Sequence, residues 1–178
     1  MTSEPNFLAQ IFAATRAAAD RELVLEIHGK SKVPTTGAEL LALVAHLRGF
    51  LRSAEVKPGD RVALLAPNSA RWVAADLAIL AEGAIVVPLY SRQDPNELAG
   101  MVRDCTPVLV LASDDTLANA LVGALTGPQH PRIALFSEAL AAPPLDAPPH
   151  DFAADAPVTI IYTSGTTGEP KGAVLTCA

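Results

Sequence analysis

Apolar residues recur along the chain with two periods, helical and strand-like, and the two alternate. Phe7, Ile11, Ala14 and Ala18 share one face at helical spacing, which predicts an amphipathic helix to about residue 19. Residues 22–28 are rich in β-formers, 29–31 read as a turn and 33–35 as a short returning strand, so a hairpin is expected next. Thr36 with Glu39 three positions later is a capping-box pattern, and Leu40, Val44, Leu47 and Leu51 then line one face of a helix ending near Ser53. After the turn residues Lys57, Pro58, Gly59 and Asp60, residues 62–66 are apolar without alternation, as in a strand buried on both faces.

The alternation continues to residue 136. Pro67, Asn68 and Ser69 open a helix that should run to a C-capping Gly83, and residues 84–89 form the next strand. Asp94 as cap, Pro95 in the first turn and Glu97 reaching back predict another helix start. Residues 108–112 read as a strand, Ser113 as the cap of a helix to about Leu125, and 133–136 as one more short strand. The expected fold class is therefore α/β, a largely parallel sheet flanked by helices.

Prolines at 128, 131, 143, 144, 148, 149 and 157 make residues 128–157 a stiff, extended, surface-exposed connection between an α/β region, 1–127, and a last segment, 158–178. In that segment residues 158–163 form a β-branched strand, 164–172 a loop and 173–176 a returning strand.

Composition narrows the function classes. With 178 residues, half of them hydrophobic, the chain suffices for one substantial core. Its 13 Lys and Arg against 19 Asp and Glu give a net charge of −6, so nucleic-acid binding has no electrostatic support. A local nest of N–H groups with one lysine still outweighs that field for a compact polyanion. Cys105 and Cys177 lie in no CxxC pattern and read as free thiols. The first twenty residues carry neither a basic n-region nor an unbroken apolar run, so a signal peptide and a transmembrane segment are both unexpected. The expected location is cytoplasmic.

The chemistry concentrates in residues 164–172, Ser-Gly-Thr-Thr-Gly-Glu-Pro-Lys-Gly. Glycines let the backbone approach a ligand with no Cβ in the way, so that successive N–H groups can converge on an anion. Ser164, Thr166 and Thr167 add hydroxyl donors and Lys171 a point charge. Plain hairpin loops use the same residue types, yet three hydroxyls before a lysine, bounded by two strands, favour a phosphate cradle. A Walker A loop is excluded, because Gly172 rather than Ser or Thr follows the lysine and a strand rather than a helix comes next.

Other candidates carry less. His28, His46, His130 and His150 have no i, i+4 partner and form no zinc pattern. Trp72 reads as core packing on an Ala- and Leu-rich helix. Arg92, Gln93 and Asp94 follow a strand end, where α/β sheets place sites, with a solvated loop as the plainer reading.

Tyr162-Thr163-Ser164-Gly165-Thr166-Thr167-Gly168-Glu169-Pro170-Lys171-Gly172 resembles, at every defined position, the YTSGTTGxPKG signature of the adenylate-forming (AMP-binding) superfamily. That superfamily comprises acyl-CoA synthetases, aryl-CoA ligases, luciferases and the adenylation domains of peptide synthetases. Gly59 to Leu64, Pro67-Asn68-Ser69, Trp72 and the run from Ala75 to Pro88 also resemble its N-terminal region, so the likeness covers the chain from about Thr35 onward. Residues 75–90 look most like long-chain fatty acyl-CoA synthetases. Cys177 departs from the pattern, since most relatives carry His there.

The resemblance implies an N-terminal portion, residues 1–178, of an AMP-binding domain from an AMP-forming acid–thiol ligase. Its substrates would be a carboxylic acid, expected to be a fatty acid, with ATP, Mg²⁺ and CoA. Thr163, Ser164, Gly165, Thr166, Thr167, Gly168 and Lys171 would bind nucleotide phosphates, and Thr163 would lie near Mg²⁺ with a Glu outside this chain. The adenine pocket, a ribose-binding Asp and the catalytic Lys would also lie beyond residue 178, leaving no catalytic residue here and the chain inactive alone. An aryl-CoA ligase, a peptide-synthetase adenylation domain and a non-catalytic nucleotide-binding module are the alternatives.

Overall fold

The structure is a computed structural model that describes residues 7–127, 130–163 and 171–177. Its elements are α1 (Phe7–Ala17), β1 (Glu22–His28), β2 (Ser31–Thr36), α2 (Gly37–Ser53), β3 (Arg61–Leu65), α3 (Ala70–Ala81) and β4 (Ile85–Leu89). They continue with α4 (Pro95–Cys105), β5 (Leu109–Ala112), α5 (Asp115–Ala124), β6 (Arg132–Leu135), α6 (Phe136–Leu140), β7 (Pro157–Thr163) and β8 (Lys171–Thr176).

β1 and β2 pair as the expected antiparallel hairpin. The remaining strands form one sheet in the order β6-β5-β3-β4-β7-β8, parallel throughout except for the last pair. The unalternating apolar run at β3 is explained by its position. Val62 and Leu64 face a core built with Leu40, Val44, Leu47, Leu51 and Ile79, whereas Ala63 and Leu65 face a second core with Leu98, Met101, Val102 and Leu121. Helices thus cover both faces: α2 and α3 pack on one, α4 and α5 on the other. Each fully buried Val or Leu of this kind contributes about 1.5–3 kcal/mol.

Caps mark where the helices start. Thr36 and Glu39 form the reciprocal capping box at α2, and the Ser69 hydroxyl accepts from the Trp72 N–H at α3. Three local expectations are corrected. Asp114, not Ser113, caps α5, accepting from the Leu117 N–H, while the Ser113 hydroxyl is spent as a donor to Asp114. Asp94 does cap α4, but the Glu97 side chain accepts from the Gln93 amide instead of reaching back. Phe136 is not the end of a strand; it begins the short helix α6 and buries its ring in the first core.

The proline-rich stretch carries β6 and α6, and residues 141–156 then run across α2 and α3 without helix or strand. This strap is docked. The Leu145 N–H donates to the Ala45 carbonyl at 2.8 Å and the His150 N–H to the Ala81 carbonyl at 2.9 Å. Gly83 has φ +77, and a Cβ there would lie 2.8 Å from the His150 ring. Only glycine both adopts that conformation without strain and leaves room for the imidazole. Beneath the strap, buried Arg48 donates to Glu82 at 2.8 Å and to the carbonyls of Ala147 and Pro148.

Candidate functional site

β7 lies beside β4 and runs parallel to it, so its C-terminal end emerges on the edge of the sheet where α/β proteins place ligands. β8 returns antiparallel, with Thr163 directly opposite Lys171 and Tyr162 opposite Gly172. The two ends of the glycine loop are therefore held as cross-strand partners. Ser164, Gly165, Thr166, Thr167 and Gly168 lie outside the described residues; of the candidate phosphate-binding set, Thr163 and Lys171 are placed.

Directly paired residues project to the same face of a hairpin. Thr163 and Lys171 thus share one face, and both are exposed. A hydroxyl and an ammonium side by side, open to solvent, suit an anionic ligand that carries a cation: the hydroxyl offers an oxygen to a hard metal ion, the ammonium a charge to phosphate. Ile160 and Tyr162 occupy the other face, toward the second core.

A hollow of about 450 Å³ opens beyond the C-terminal ends of β3 and β4, on the same side of the sheet. Asn68, Trp72, Tyr90 and Arg92 line it. Trp72 packs half-buried against the first core while also forming this wall, so its expected packing role is only part of its placement. Arg92 joins the hollow, whereas Gln93 and Asp94 are engaged at the start of α4. Tyr90, 63% exposed, was not singled out by sequence; its signal is its position immediately after a strand end.

Three ionisable groups are raised chiefly by burial, Asp76, Cys105 and the Tyr162 hydroxyl. Asp76, on α3, is pushed up to about 6 by desolvation, and the Cys105 thiol is pushed up to about 11, which makes it a poor nucleophile. Both cysteines are free. Among the described residues no cluster of His, Cys, Asp or Glu could hold a metal ion, and no helix is long and apolar enough to cross a membrane.

The mostly parallel sheet with helices on both faces, ending in a strand–loop–strand hairpin, defines the N-terminal architecture of adenylate-forming enzymes. The AMP-binding enzyme family model matches residues 12–178, and the chain belongs to that family. It is 36% identical over 172 residues to the probable non-canonical nonribosomal peptide synthetase CymA of Salinispora arenicola, covering 93% of this chain and 2% of that protein. It is 32% identical over 141 residues to the long-chain-fatty-acid–CoA ligase FadD15 of Mycobacterium bovis, covering 71% and 24%. Among solved structures, ATP-bound MatB from Rhodopseudomonas palustris superposes with a TM-score of 0.73 at 26% identity, over 95% of this chain and 35% of MatB. The chain spans about a third or less of each of these three proteins.

Proposed function

We propose that the full-length protein activates a carboxylic acid with ATP, releasing pyrophosphate and forming an acyl-adenylate, and then transfers the acyl group to CoA. The observation that carries this reading is the pairing of Thr163 with Lys171 at the ligand-bearing end of the sheet, bracketing a loop of phosphate-cradle composition. In it, Ser164, Gly165, Thr166, Thr167, Gly168 and Lys171 hold the β- and γ-phosphates, and Thr163 contributes its hydroxyl to Mg²⁺ together with a Glu outside this chain. The exposed hydroxyl and ammonium have the donor chemistry for both tasks. When bound, Mg²⁺ would neutralise phosphate charge. Lys171 stabilises charge on the departing pyrophosphate, and the loop as a whole orients the nucleotide for in-line attack by the carboxylate.

The likeness to a fatty acid–CoA ligase supports a fatty acid as the substrate, and the free thiols a cytoplasmic location. The chain is the N-terminal portion of the AMP-binding domain and by itself does not complete the reaction. The 36% identity to a peptide synthetase favours a second reading in which a carrier-protein thiol replaces CoA. Incubating the full-length protein with ATP, CoA and a panel of carboxylates tests both. AMP and acyl-CoA formation supports ligation to CoA; AMP formation only with a carrier protein supports the second reading; no AMP with any acid refutes both.

A further inference from the structure

Gly172 and Tyr162 are cross-strand partners, and the ring of one explains the identity of the other. A Cβ at Gly172 would come 2.9 Å from Ile160 Cγ2 and 3.3 Å from Tyr162 Cζ, so the tyrosine ring lies across β8 where only a glycine admits it. The ring lies over β8 at Gly172, and the pair Tyr162–Gly172 is next in register to Thr163–Lys171. Its hydroxyl donates to the Asp104 carboxylate near the end of α4, and the Met101 carbonyl oxygen lies 3.3 Å away as an alternative acceptor. A bond between positions 58 residues apart thereby ties the loop hairpin to a helix of the parallel core.

We propose that Tyr162 and Asp104 are a positioning pair: without touching nucleotide, they fix the strand ends that carry Thr163 and Lys171, and so set how well the loop fits its phosphates. This rests on the phosphate-binding reading of the loop above. The pair stands outside the chemistry, because Tyr162 faces α4 while Thr163 and Lys171 face the other way. Burial, followed by the bond to Asp104, raises the Tyr162 hydroxyl above its ordinary range, so it remains a donor at neutral pH. β8 is the last strand of the described sheet and every one of its residues is exposed, so Tyr162, reaching from β7 across Gly172 to α4, ties this edge to a helix of the core.

The test uses the full-length protein with Tyr162→Phe, Asp104→Ala, Asp104→Asn and the Tyr162→Phe/Asp104→Ala double variant. Backbone hydrogen exchange is read first, without substrate. Phe at 162 and Ala at 104 should each accelerate exchange about tenfold in peptides covering residues 160–163 and 171–174, a change of about 1.4 kcal/mol. The double variant should be no worse than either single one, and Asn at 104, which keeps an acceptor oxygen, should restore most of the protection. Peptides from β3 and β5 should not change. In ATP–pyrophosphate exchange the same variants should raise the KM for ATP about tenfold and leave the KM for the carboxylate within twofold.

Unchanged hydrogen exchange at both strand ends overturns the pair, as does acceleration that extends equally to β3 and β5. Local acceleration with an unaltered KM for ATP also overturns it, since the hairpin would then loosen without consequence for nucleotide. A wild type that loosens as described on mutation, yet shows no ATP–pyrophosphate exchange with any acid, upholds the clamp and sinks the adenylation reading instead.

Discussion

Glu82→Gln should destabilise the fold well beyond an average substitution, and the structure gives the size. The Glu82 carboxylate accepts from Arg48 Nε at 2.8 Å and lies 2.7 Å from Arg52 Nη2. The Arg48 and Glu82 side chains are 4% and 3% exposed, whereas Arg52 is 62% exposed. The Arg52 contact is screened by water and contributes about 0–1 kcal/mol. Arg48 is different, because its buried guanidinium donates to the carboxylate and to two strap carbonyls. Neutralising Glu82 leaves that cation buried without a counter-charge, at a cost of about 3–5 kcal/mol. Urea denaturation followed by circular dichroism should show the midpoint fall with the slope unchanged. The double variant Arg48→Met/Glu82→Leu removes both buried charges together and should recover much of the loss, giving a coupling energy well outside additivity. A loss below about 1 kcal/mol for Glu82→Gln would refute the claim that α2, α3 and the strap are held by a desolvated ion pair.

Two further outcomes follow from local chemistry. Burial raises Asp76 from 3.8 to about 6, so its cost to the fold is absent below about pH 4, grows between pH 4 and 6 and is complete above 6. Asp76→Asn should therefore stabilise at pH 7 by up to about 3 kcal/mol, from two units at 1.36 kcal/mol each, and change nothing at pH 3.5; an equal effect at both pH values in urea titrations would contradict the burial argument. At the start of α5, Asp114→Ala should cost about 1 kcal/mol and Ser113→Ala less than half of that, since Asp114 makes the capping bond; the reverse order in the same titration would restore Ser113 as the cap.

The parallel core was legible because its signals are local. Apolar runs at β3 and β4 and caps at Thr36, Ser69 and Asp94 each lie within a few residues of what they determine. Two of the three local errors arose where neighbours compete for one role. Ser113 and Asp114 are both good caps, and only the bond between them decides which is free to accept. Gln93 likewise intercepts Glu97 before it can close a capping box. The candidate site was legible as a motif, and the two strands around it as a hairpin. What sequence could not supply was the contact set that crosses the chain: Tyr162 on Asp104, His150 over Gly83, and Arg48 under the strap. Such contacts leave no periodic trace, because the fold alone brings their partners together.

The central claim, that Lys171 serves the chemistry of ATP activation, is tested most directly by separating the two half-reactions in full-length Lys171→Ala protein. Pre-steady-state pyrophosphate release with ATP and the accepted carboxylate reads the first; preformed acyl-adenylate supplied with CoA reads the second. Lys171 is exposed at the root of the loop, and on the proposed reading charge would build beside it only while pyrophosphate departs. The first rate should fall by an amount equivalent to about 2.7–4 kcal/mol, the usual loss for one such contact, while the second stays close to wild type. Equal slowing of both half-reactions would contradict the account and make Lys171 a support of the hairpin rather than a partner of phosphate.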